Sequence, residues 1–470
     1  MEVDAMGNTY AFGSTRDGGF PYESYVVKMD PDGALVWIDT VQGISSYGAM
    51  DLSGSDVFIC GRVADGFHIA RYDTSGAVLW QTVYDDGGSL PTAHDVVVGP
   101  ERRVTVTGST NGPTGFDAVT VQYDSIGVER WSQHYNYTPI SFGDQGRAVA
   151  TDAHGNVYVT GTSADTTNGS ILTISYSPLG VERWVRRNSP GIQSLGTSIA
   201  VEGGRVYVGG TSDNTNDFDL LCAAYDTTGA VLWEQLLDVG GDDRLFDMDV
   251  RDGFIALTGV KNEGASFYHD YSTVLLDSVG VVHWTRTHDG GSGFDYGVSV
   301  RLDATGKTYV TGGGPDTLAN TTVAATICYA HNGDELWLAR YFLPGIGAAE
   351  GYDIDLDDAS NVYVFGLYGI PLVSAGFVML KYGADVGLRP LQSSEFELDL
   401  YPNPAQDQLN LSNAWPGFVT ITDAVGRSVM SMSVTAHGVL SVGALASGCY
   451  VLHLRDASQH SLGALRFLKE

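Results

Sequence analysis

Adjacent aspartates are the closest approach to a catalytic pattern in this sequence. Asp85 is followed by Asp86, and Asp242 by Asp243. Two carboxylates can act as general acid and general base, but neighbouring acids in a loop usually face water. The sequence also has no HExxH, no G-x-S-x-G and no phosphate-binding glycine loop. We therefore assign no catalytic residue.

Metal and cofactor sites have equally little support. The segment DNTNDFD at 213–219 has the acidity of a calcium loop, but Thr215 stands where an EF-hand loop needs Asp or Asn. An Asx-rich turn is the alternative. The eleven histidines are scattered, and the four cysteines form no CxxC pair, which favours buried free thiols. We predict no metal and no cofactor.

The composition indicates many short strands joined by tight turns. Of 470 residues 60 are glycine, and only 17% are charged. The net charge of −31 argues against nucleic acid and against a bare anionic membrane, because phosphate groups attract clustered Lys and Arg. No apolar run approaches the roughly 20 residues of a transmembrane helix.

A tryptophan-ending segment recurs at spacings of 43 to 53 residues. Examples are YDTSGAVLW at 72–80 and YDTTGAVLW at 225–233. A second signature, such as NVYVTG from residue 156, occurs eight times. Four short antiparallel strands repeated in this way predict an all-β chain with an eight-bladed β-propeller, with seven blades as the alternative. We expect the tryptophans to fill the gap between adjacent blades; they are Trp37, Trp80, Trp131, Trp184, Trp233, Trp284 and Trp337.

The two ends of the repeat region are irregular. The first repeat shows no first strand before MEVDAMG, and the eighth ends in ADVGLRP without a closing tryptophan. Propellers normally avoid exposed sheet edges by closure. We therefore expect the first blade to be incomplete and an N-terminal segment, including a Sec signal, to be missing.

The order D-x-x-G-N-x-Y-x-x-G, a hydrophobic strand, Y-D-x-x-G and W resembles the SBBP-type β-propeller repeats of secreted bacterial proteins over about residues 1–388. This resemblance implies a fold and no particular activity. The tryptophan segment is also similar to the docking motif of quinoprotein propellers. Many such enzymes have neighbouring cysteines, which this chain lacks, so we predict no quinone.

The composition changes after residue 388. Residues 389–398 indicate a linker, and short strands in 399–470 predict a small Ig-like antiparallel sandwich. The ordered positions of this tail are Tyr401, Pro402, Asn403, Pro404, Leu409, Leu411, Asp423, Gly426, Arg427, Leu445, Gly448, Tyr450, Phe467 and Lys469. They resemble the type A C-terminal sorting domain of the type IX secretion system; an ordinary Ig-like module is the alternative.

The sorting-domain resemblance implies a secreted or outer-membrane surface protein. Its partners would be the type IX translocon and a surface peptidase that cleaves within about residues 388–398.

Four segments predicted as loops carry aromatic and acidic residues: SSYGAMD at 45–51, SFGDQG at 141–146, RLFDMD at 244–249 and GFDYGV at 293–298.

Such a face suits a carbohydrate or protein ligand, although Phe246 and Phe294 are expected to pack under the loops. We predict a non-catalytic binding or structural role. The alternative is an extracellular glycosidase or lyase, which a convergent carboxylate pair within about 10 Å in a deep axial pocket would favour.

Overall fold

The computed structural model describes most of the chain. The described residues are 1–15, 23–41, 45–54, 56–64, 66–112, 115–137, 143–165, 168–213, 217–262, 269–291, 293–316, 321–342, 348–370, 374–383, 400–401, 405–411, 417–423, 428–434, 438–456 and 461–469. They belong to two compact units, Met1–Val386 and Gly387–Glu470. No described helix is long and apolar enough to span a membrane.

Each repeat of the first unit forms its own antiparallel sheet, with the strands in chain order. The first four sheets comprise β1 (Glu2–Val3), β2 (Thr9–Thr15), β3 (Glu23–Met29), β4 (Leu35–Val41); β5 (Ser45–Ser53), β6 (Asp56–Val63), β7 (Gly66–Tyr72), β8 (Val78–Tyr84); β9 (Ser89–Val98), β10 (Val104–Gly112), β11 (Gly115–Tyr123), β12 (Glu129–Tyr135); β13 (Gly143–Thr151), β14 (Val157–Ala164), β15 (Gly169–Tyr176) and β16 (Glu182–Asn188). One 3-10 turn, Pro100–Arg102, follows β9.

The last four sheets comprise β17 (Ser194–Glu202), β18 (Arg205–Asp213), β19 (Phe218–Asp226), β20 (Val231–Leu237); β21 (Arg244–Arg251), β22 (Phe254–Asn262), β23 (His269–Asp277), β24 (Val282–His288); β25 (Tyr296–Leu302), β26 (Thr308–Asp316), β27 (Thr321–Tyr329), β28 (Glu335–Tyr341); β29 (Ala348–Leu356), β30 (Val362–Ile370) and β31 (Ser374–Tyr382). The first strands of successive sheets contact one another in series, and β29 contacts β1. The eight sheets therefore close into a ring, which confirms the predicted β-propeller with its preferred count of eight blades.

The first blade has a short first strand, in which Glu2 and Val3 pair with Tyr10 and Thr9 of β2. Two residues are too few to show strand alternation in a sequence, and the first strands of the other blades have seven to ten residues. That the first blade is incomplete stays a prediction. The last blade has three described strands, and residues 384–399, which include the predicted linker, lie outside the described part.

A hydrogen-bonded aspartate turn joins the first two strands of the blades that contain D-x-x-G-N. Asp152 Oδ1 accepts the backbone N–H of His154 and Asn156, each at 2.9 Å. Its Oδ2 accepts Asn156 Nδ2 at 2.7 Å and the Tyr158 hydroxyl at 3.0 Å. Burial alone would raise the pKa of Asp152, but these hydrogen bonds outweigh it and hold the pKa below its usual value. The predicted turn is therefore satisfied within its own motif.

The second unit contains two antiparallel sheets, with strand orders β32-β33-β36 and β35-β34-β37-β38. Their strands are β32 (Leu400–Tyr401), β33 (Gln408–Leu411), β34 (Gly417–Asp423), β35 (Ser428–Val434), β36 (Gly438–Ser441), β37 (Gly448–Asp456) and β38 (Ser461–Lys469). Leu409 and Leu440 of the smaller sheet share one buried cluster with Ile421, Leu452 and Phe467 of the larger sheet. This is the small sandwich that the tail sequence predicts.

Candidate functional site on the loop face of the propeller

The repeat tryptophans lie on the outer strands and contact the next blade. In β16, the Trp184 ring packs at a tilt against Tyr225, with centroids 6.1 Å apart, and its Nε1 donates to the Thr227 carbonyl at 3.1 Å. Gly229 provides the space, since a Cβ there would lie 2.6 Å from the ring. The same donation to the next turn is made by Trp37, Trp80, Trp233 and Trp284.

Two tryptophans differ in their hydrogen bonds. Trp131 donates to Gln122 Oε1 of its own blade at 3.1 Å, although its ring still packs on Tyr176 of the next blade. Trp337 Nε1 has no hydrogen-bond partner among the described residues, and its ring packs on Tyr382 at 5.7 Å. We interpret all seven as blade-interface residues.

Aspartates of the inner strands bond the blades to one another around the axis. An inner-strand N–H that faces the preceding blade has no partner strand, so a carboxylate from that preceding blade accepts it. The acceptors are Asp51, Asp95, Asp247, Asp249 and Asp355, and the respective donors are the N–H groups of Val98, Val149, Val300, Leu302 and Val3, at 2.6 to 3.0 Å. Burial raises the pKa of Asp95 to about 7 despite hydrogen bonds from Val149 and Val96.

These aspartates correct part of the loop prediction. The segment 45–51 lies in β5 and 244–249 lies in β21, so Asp51, Asp247 and Asp249 are axis residues and not loop residues. The signal was present as alternation of Asp with apolar residues, for example in DMD at 247–249, which is typical of a strand with one polar face.

Arg301 of β25 lies among the axial acids. Its Nη1 is 3.1 Å from Asp247 Oδ2, its Nη2 is 3.7 Å from Asp353 Oδ1, and each of the three side chains is about a quarter exposed. The two carboxylates therefore converge, but Asp247 also accepts the N–H groups of Met248 and Val300. The oxygens of Asp247 are therefore already used by hydrogen bonds within and between blades. A general acid or base needs a carboxylate oxygen that can exchange a proton with the substrate.

The loop face is the side of the ring with the connections between second and third strands and between successive blades; the other side is the turn face. Four aromatic side chains of the described residues are half-exposed at or just inside this face. Tyr137 (48%) and Phe294 (50%) lie in connections between blades, whereas Phe246 (44%) and Tyr352 (43%) lie at bulges of the inner strands β21 and β29. The expectation that Phe246 and Phe294 pack under loops is therefore wrong. Phe294 stacks on His269 at 4.6 Å, and the Arg187 guanidinium lies 3.4 Å above Tyr137.

Two acidic triads lie on the same face. The carboxylate oxygens of Asp219, Asp238 and Asp243 lie within 4.8 Å of one another, and those of Asp270, Asp289 and Asp295 repeat the arrangement one blade later. Burial raises the pKa of Asp243 to about 7, opposed by the Val239 N–H and increased further by Asp238 and Asp219.

The adjacent aspartates that the sequence singled out do not act as pairs. Asp242 Oδ2 lies 3.4 Å from Arg244, whereas Asp243 joins its triad. Asp86 accepts the Thr110 hydroxyl at 2.7 Å, and Asp85 accepts the Gly87 N–H at 2.8 Å. The cysteines Cys60, Cys222 and Cys328 are buried and free.

The described sorting-motif residues lie in the core and the strands of the second unit. The buried Tyr450 ring stacks on Phe467 with centroids 5.7 Å apart, and its hydroxyl donates to the Ala446 carbonyl at 2.9 Å. Gly448 is the register partner of Lys469, Asp423 ends β34, and Tyr401 lies in β32. Outside the described residues are Pro402, Asn403, Pro404, Gly426 and Arg427.

Comparison with known families identifies the tail. Residues 399–464 match the family described as the secretion system C-terminal sorting domain. The chain thus carries a type IX sorting domain, which implies that it is secreted or held at the outer-membrane surface. The SBBP-type assignment of the repeats stays a prediction. No curated protein matches the chain in sequence.

Solved structures that resemble the chain are propellers. The Dos1 propeller superposes with a TM-score of 0.53 at 8% identity, over 80% of this chain and 91% of that one. Sqt1 from Chaetomium thermophilum superposes with a TM-score of 0.50 at 12% identity, over 82% of this chain and 95% of Sqt1. A PL25 ulvan lyase superposes with a TM-score of 0.44 at 11% identity, over 72% of this chain and 91% of the lyase. Such distant likeness shows the fold alone.

Proposed function

We propose that this exported protein is a non-catalytic binding protein that contacts its ligand through the loop face of the propeller. The observation that carries the proposal is the set of half-exposed aromatic residues at or just inside that face, namely Tyr137, Phe246, Phe294 and Tyr352. Exposed aromatic side chains near polar groups are a common feature of binding surfaces.

The turn face offers much less for recognition. Its aspartates are used within their own turns, as Asp152 illustrates. Asp303 similarly accepts Thr305, Lys307 and Tyr309 donors at 2.7 to 3.0 Å. The polar groups of these turns therefore form hydrogen bonds within the turn and are not available to a ligand. Because the turns repeat the same sequence motif, they also resemble one another from blade to blade.

A neutral glycan is the ligand class that suits the loop face. Its net-acidic surroundings repel polyanions, whereas sugar rings present C–H groups that pack on aromatic rings and hydroxyls that donate to carboxylates. A protein ligand would meet the same aromatic groups, and the experiment below separates the two. The proposed role concerns binding alone because the axial carboxylates are engaged in main-chain hydrogen bonds.

A glycan array probed with the full-length chain tests the proposal. We expect a neutral glycan to bind, and Phe246→Ala and Phe294→Ala each to weaken binding about tenfold. Leu179→Ala is the matched control, because Leu179 is an apolar turn-face residue that is 73% exposed. Binding that depends on Leu179 but on neither phenylalanine contradicts the proposal, as does the absence of any bound glycan, which would leave a protein as the ligand. Shortening of the bound polysaccharide would favour the enzyme alternative.

A further inference from the structure

A cleft lies between the outer strand of blade 1 and the third and fourth strands of blade 2. Its volume is about 430 Å³, within the range of roughly 300–1,000 Å³ that is typical of small-molecule sites. Its described lining contains no lysine or arginine. The lining includes Asp39 and Val41 of β4, His68 and Tyr72 of β7, and Gln81 and Val83 of β8.

His68 is a polar residue in this cleft that lacks a partner. It is 8% exposed, and its Nε2 has no hydrogen-bond partner among the described residues. Burial lowers the pKa of the His68 imidazole, so at pH 7 the ring is neutral, with one nitrogen that donates and one that accepts. A buried polar atom without a partner is costly, so a ligand that supplies the missing hydrogen bond gains affinity from it.

The equivalent positions of other blades show that the fold does not need a histidine here. His68 lies three residues before the register partner of the repeat tryptophan. In blades 4 and 5 this position holds Leu172 and Leu221, both fully buried. In blade 6 it holds Ser272, whose buried hydroxyl also lacks a partner among the described residues. An unpaired polar atom alone therefore does not define the site, and the open space beside His68 does.

The space in the cleft comes from the small side chain of Val41. The residue four positions after the repeat tryptophan is a tyrosine in three other blades: Tyr84, Tyr135 and Tyr341. Tyr84 is 7% exposed and lies in one buried cluster with Val119 of blade 3. Between blades 1 and 2 the corresponding pair is Val41 and His68, so the volume that a phenol ring fills in the next interface stays open.

Asp39 lines the cleft from blade 1 with a half-buried carboxylate. It accepts the Tyr72 hydroxyl and the Thr40 N–H at 2.9 Å. A carboxylate has about four lone-pair sites, so it can still accept a hydroxyl from a ligand. In blades 4 and 6 the same position holds Arg186 and Arg286, which donate to carbonyl oxygens of the next blade at 2.8 and 2.6 Å. An arginine there spans the interface, whereas Asp39 leaves it open.

We propose that this cleft binds a neutral, hydroxyl-rich molecule of the size of a monosaccharide. His68 and the Gln81 amide supply hydrogen bonds beside the carboxylate, and Val41 and Val83 provide apolar contact for C–H groups. A carboxylate without a basic residue in the described lining disfavours an anionic ligand. The inference is independent of the proposed binding on the loop face, because the cleft shares no residue with the four half-exposed aromatic side chains.

Titration of the full chain with D-glucose, D-galactose, D-mannose and N-acetylglucosamine, followed by saturation-transfer NMR at pH 7, tests the inference. We expect at least one of these sugars to bind. His68→Leu should weaken that binding about tenfold, and Val41→Tyr should abolish it by filling the cleft. Gln235→Ala is the matched control, because Gln235 holds the Asp39 position in blade 5, and it should leave the affinity unchanged. Failure of all four sugars to bind, or unchanged affinity in both cleft variants, overturns the proposal.

Two further measurements separate the cleft from the loop face and from misfolding. The double variant Phe246→Ala/Phe294→Ala should still bind the sugar; loss of the sugar there, together with retention in His68→Leu, would place the site elsewhere. In the parent chain with 13C-labelled histidine, the bound sugar should shift the signal of a buried histidine. A sugar that binds without shifting any histidine signal contradicts contact with His68, whether or not the variants fold.

Discussion

The guanidinium group of Arg301 in blade 7 lies 3.1 Å from the carboxylate of Asp247 in blade 6. Its other terminal nitrogen faces Asp353 in blade 8, so one side chain joins three successive blades. The inner strands of different blades share no main-chain ladder within the described residues. Side-chain bridges of this kind, together with the aspartate-to-backbone bonds, hold the inner edge of the ring.

Removing this arginine should therefore destabilise the propeller. We expect Arg301→Met to lower the free energy of unfolding by about 3–5 kcal/mol, because it leaves several axial carboxylates without their cation. Arg102→Met is the control, since Arg102 is 52% exposed and pairs with Asp56 at 3.0 Å; its loss should cost less than about 1 kcal/mol. Urea denaturation measures both, and equal losses would contradict the bridging role.

The axial acids predict that stability falls as the pH rises. Asp95 has an ordinary pKa of 3.8 and a folded pKa of about 7. Between these values the folded chain retains a proton that the unfolded chain has released, so the stability is greatest at the acid end and declines until the pH passes about 7. Burial lowers the pKa of the neighbouring His94 to about 4, so this histidine makes stability rise with pH up to about 6.5. The decline caused by Asp95 is therefore measured above that range, where urea midpoints should fall from pH 6.5 to pH 8.

The variant Asp95→Asn isolates this group. It has no proton to exchange, so we expect a shallower dependence of the urea midpoint on pH. Some slope should remain, because burial also raises the pKa of Asp249 and Asp51. Asp252→Asn changes a carboxylate that is 73% exposed and should retain the full slope. An unaltered slope in Asp95→Asn would show that another group is responsible.

Two glycine substitutions separate backbone strain from the tryptophan contact. Gly229 has a φ of +84° and lies under Trp184, whereas Gly33 has a φ of +83° in the same turn of blade 1 with nothing within 4 Å of a Cβ. Gly33→Ala should cost about 1–2 kcal/mol from the left-handed conformation alone. Gly229→Ala should cost about 1–3 kcal/mol more, because the methyl group displaces the indole. Equal losses of unfolding free energy in the two variants, measured by chemical denaturation, would contradict a tight contact between Gly229 and Trp184.

The sorting tail makes a prediction about export. In a bacterium with a type IX secretion system and with a Sec signal supplied, the chain without residues 399–470 should accumulate in the periplasm. The full chain should reach the cell surface or the medium. Its Phe246→Ala variant, which is altered in the propeller but keeps residues 399–470, should do the same and serves as the control. Cell fractionation with surface proteolysis measures the outcome, and surface display of the deleted chain would refute it.

Local patterns explain what the sequence alone could establish. The D-x-x-G turns and the ordered tail motifs depend on residues a few positions apart, and the tryptophans recur at a regular spacing of 43 to 53 residues. Hydrogen bonds such as those of Asp152 lie within one turn, so the blades, their number and the small sandwich could be predicted. The very short β1 could not, because two residues show no periodicity.

The contacts between blades could be decided only by the tertiary structure. Asp219 and Asp243 are 24 positions apart, and no linear motif joins them to Asp238 or relates Arg301 to Asp247 and Asp353. Ring closure sets the distance between neighbouring inner strands, and this distance determines whether a carboxylate reaches a backbone N–H, an arginine or two other carboxylates. The sequence by itself determined the repeating unit and the C-terminal sorting domain. The packing of one blade against the next decided which charged side chains contact one another.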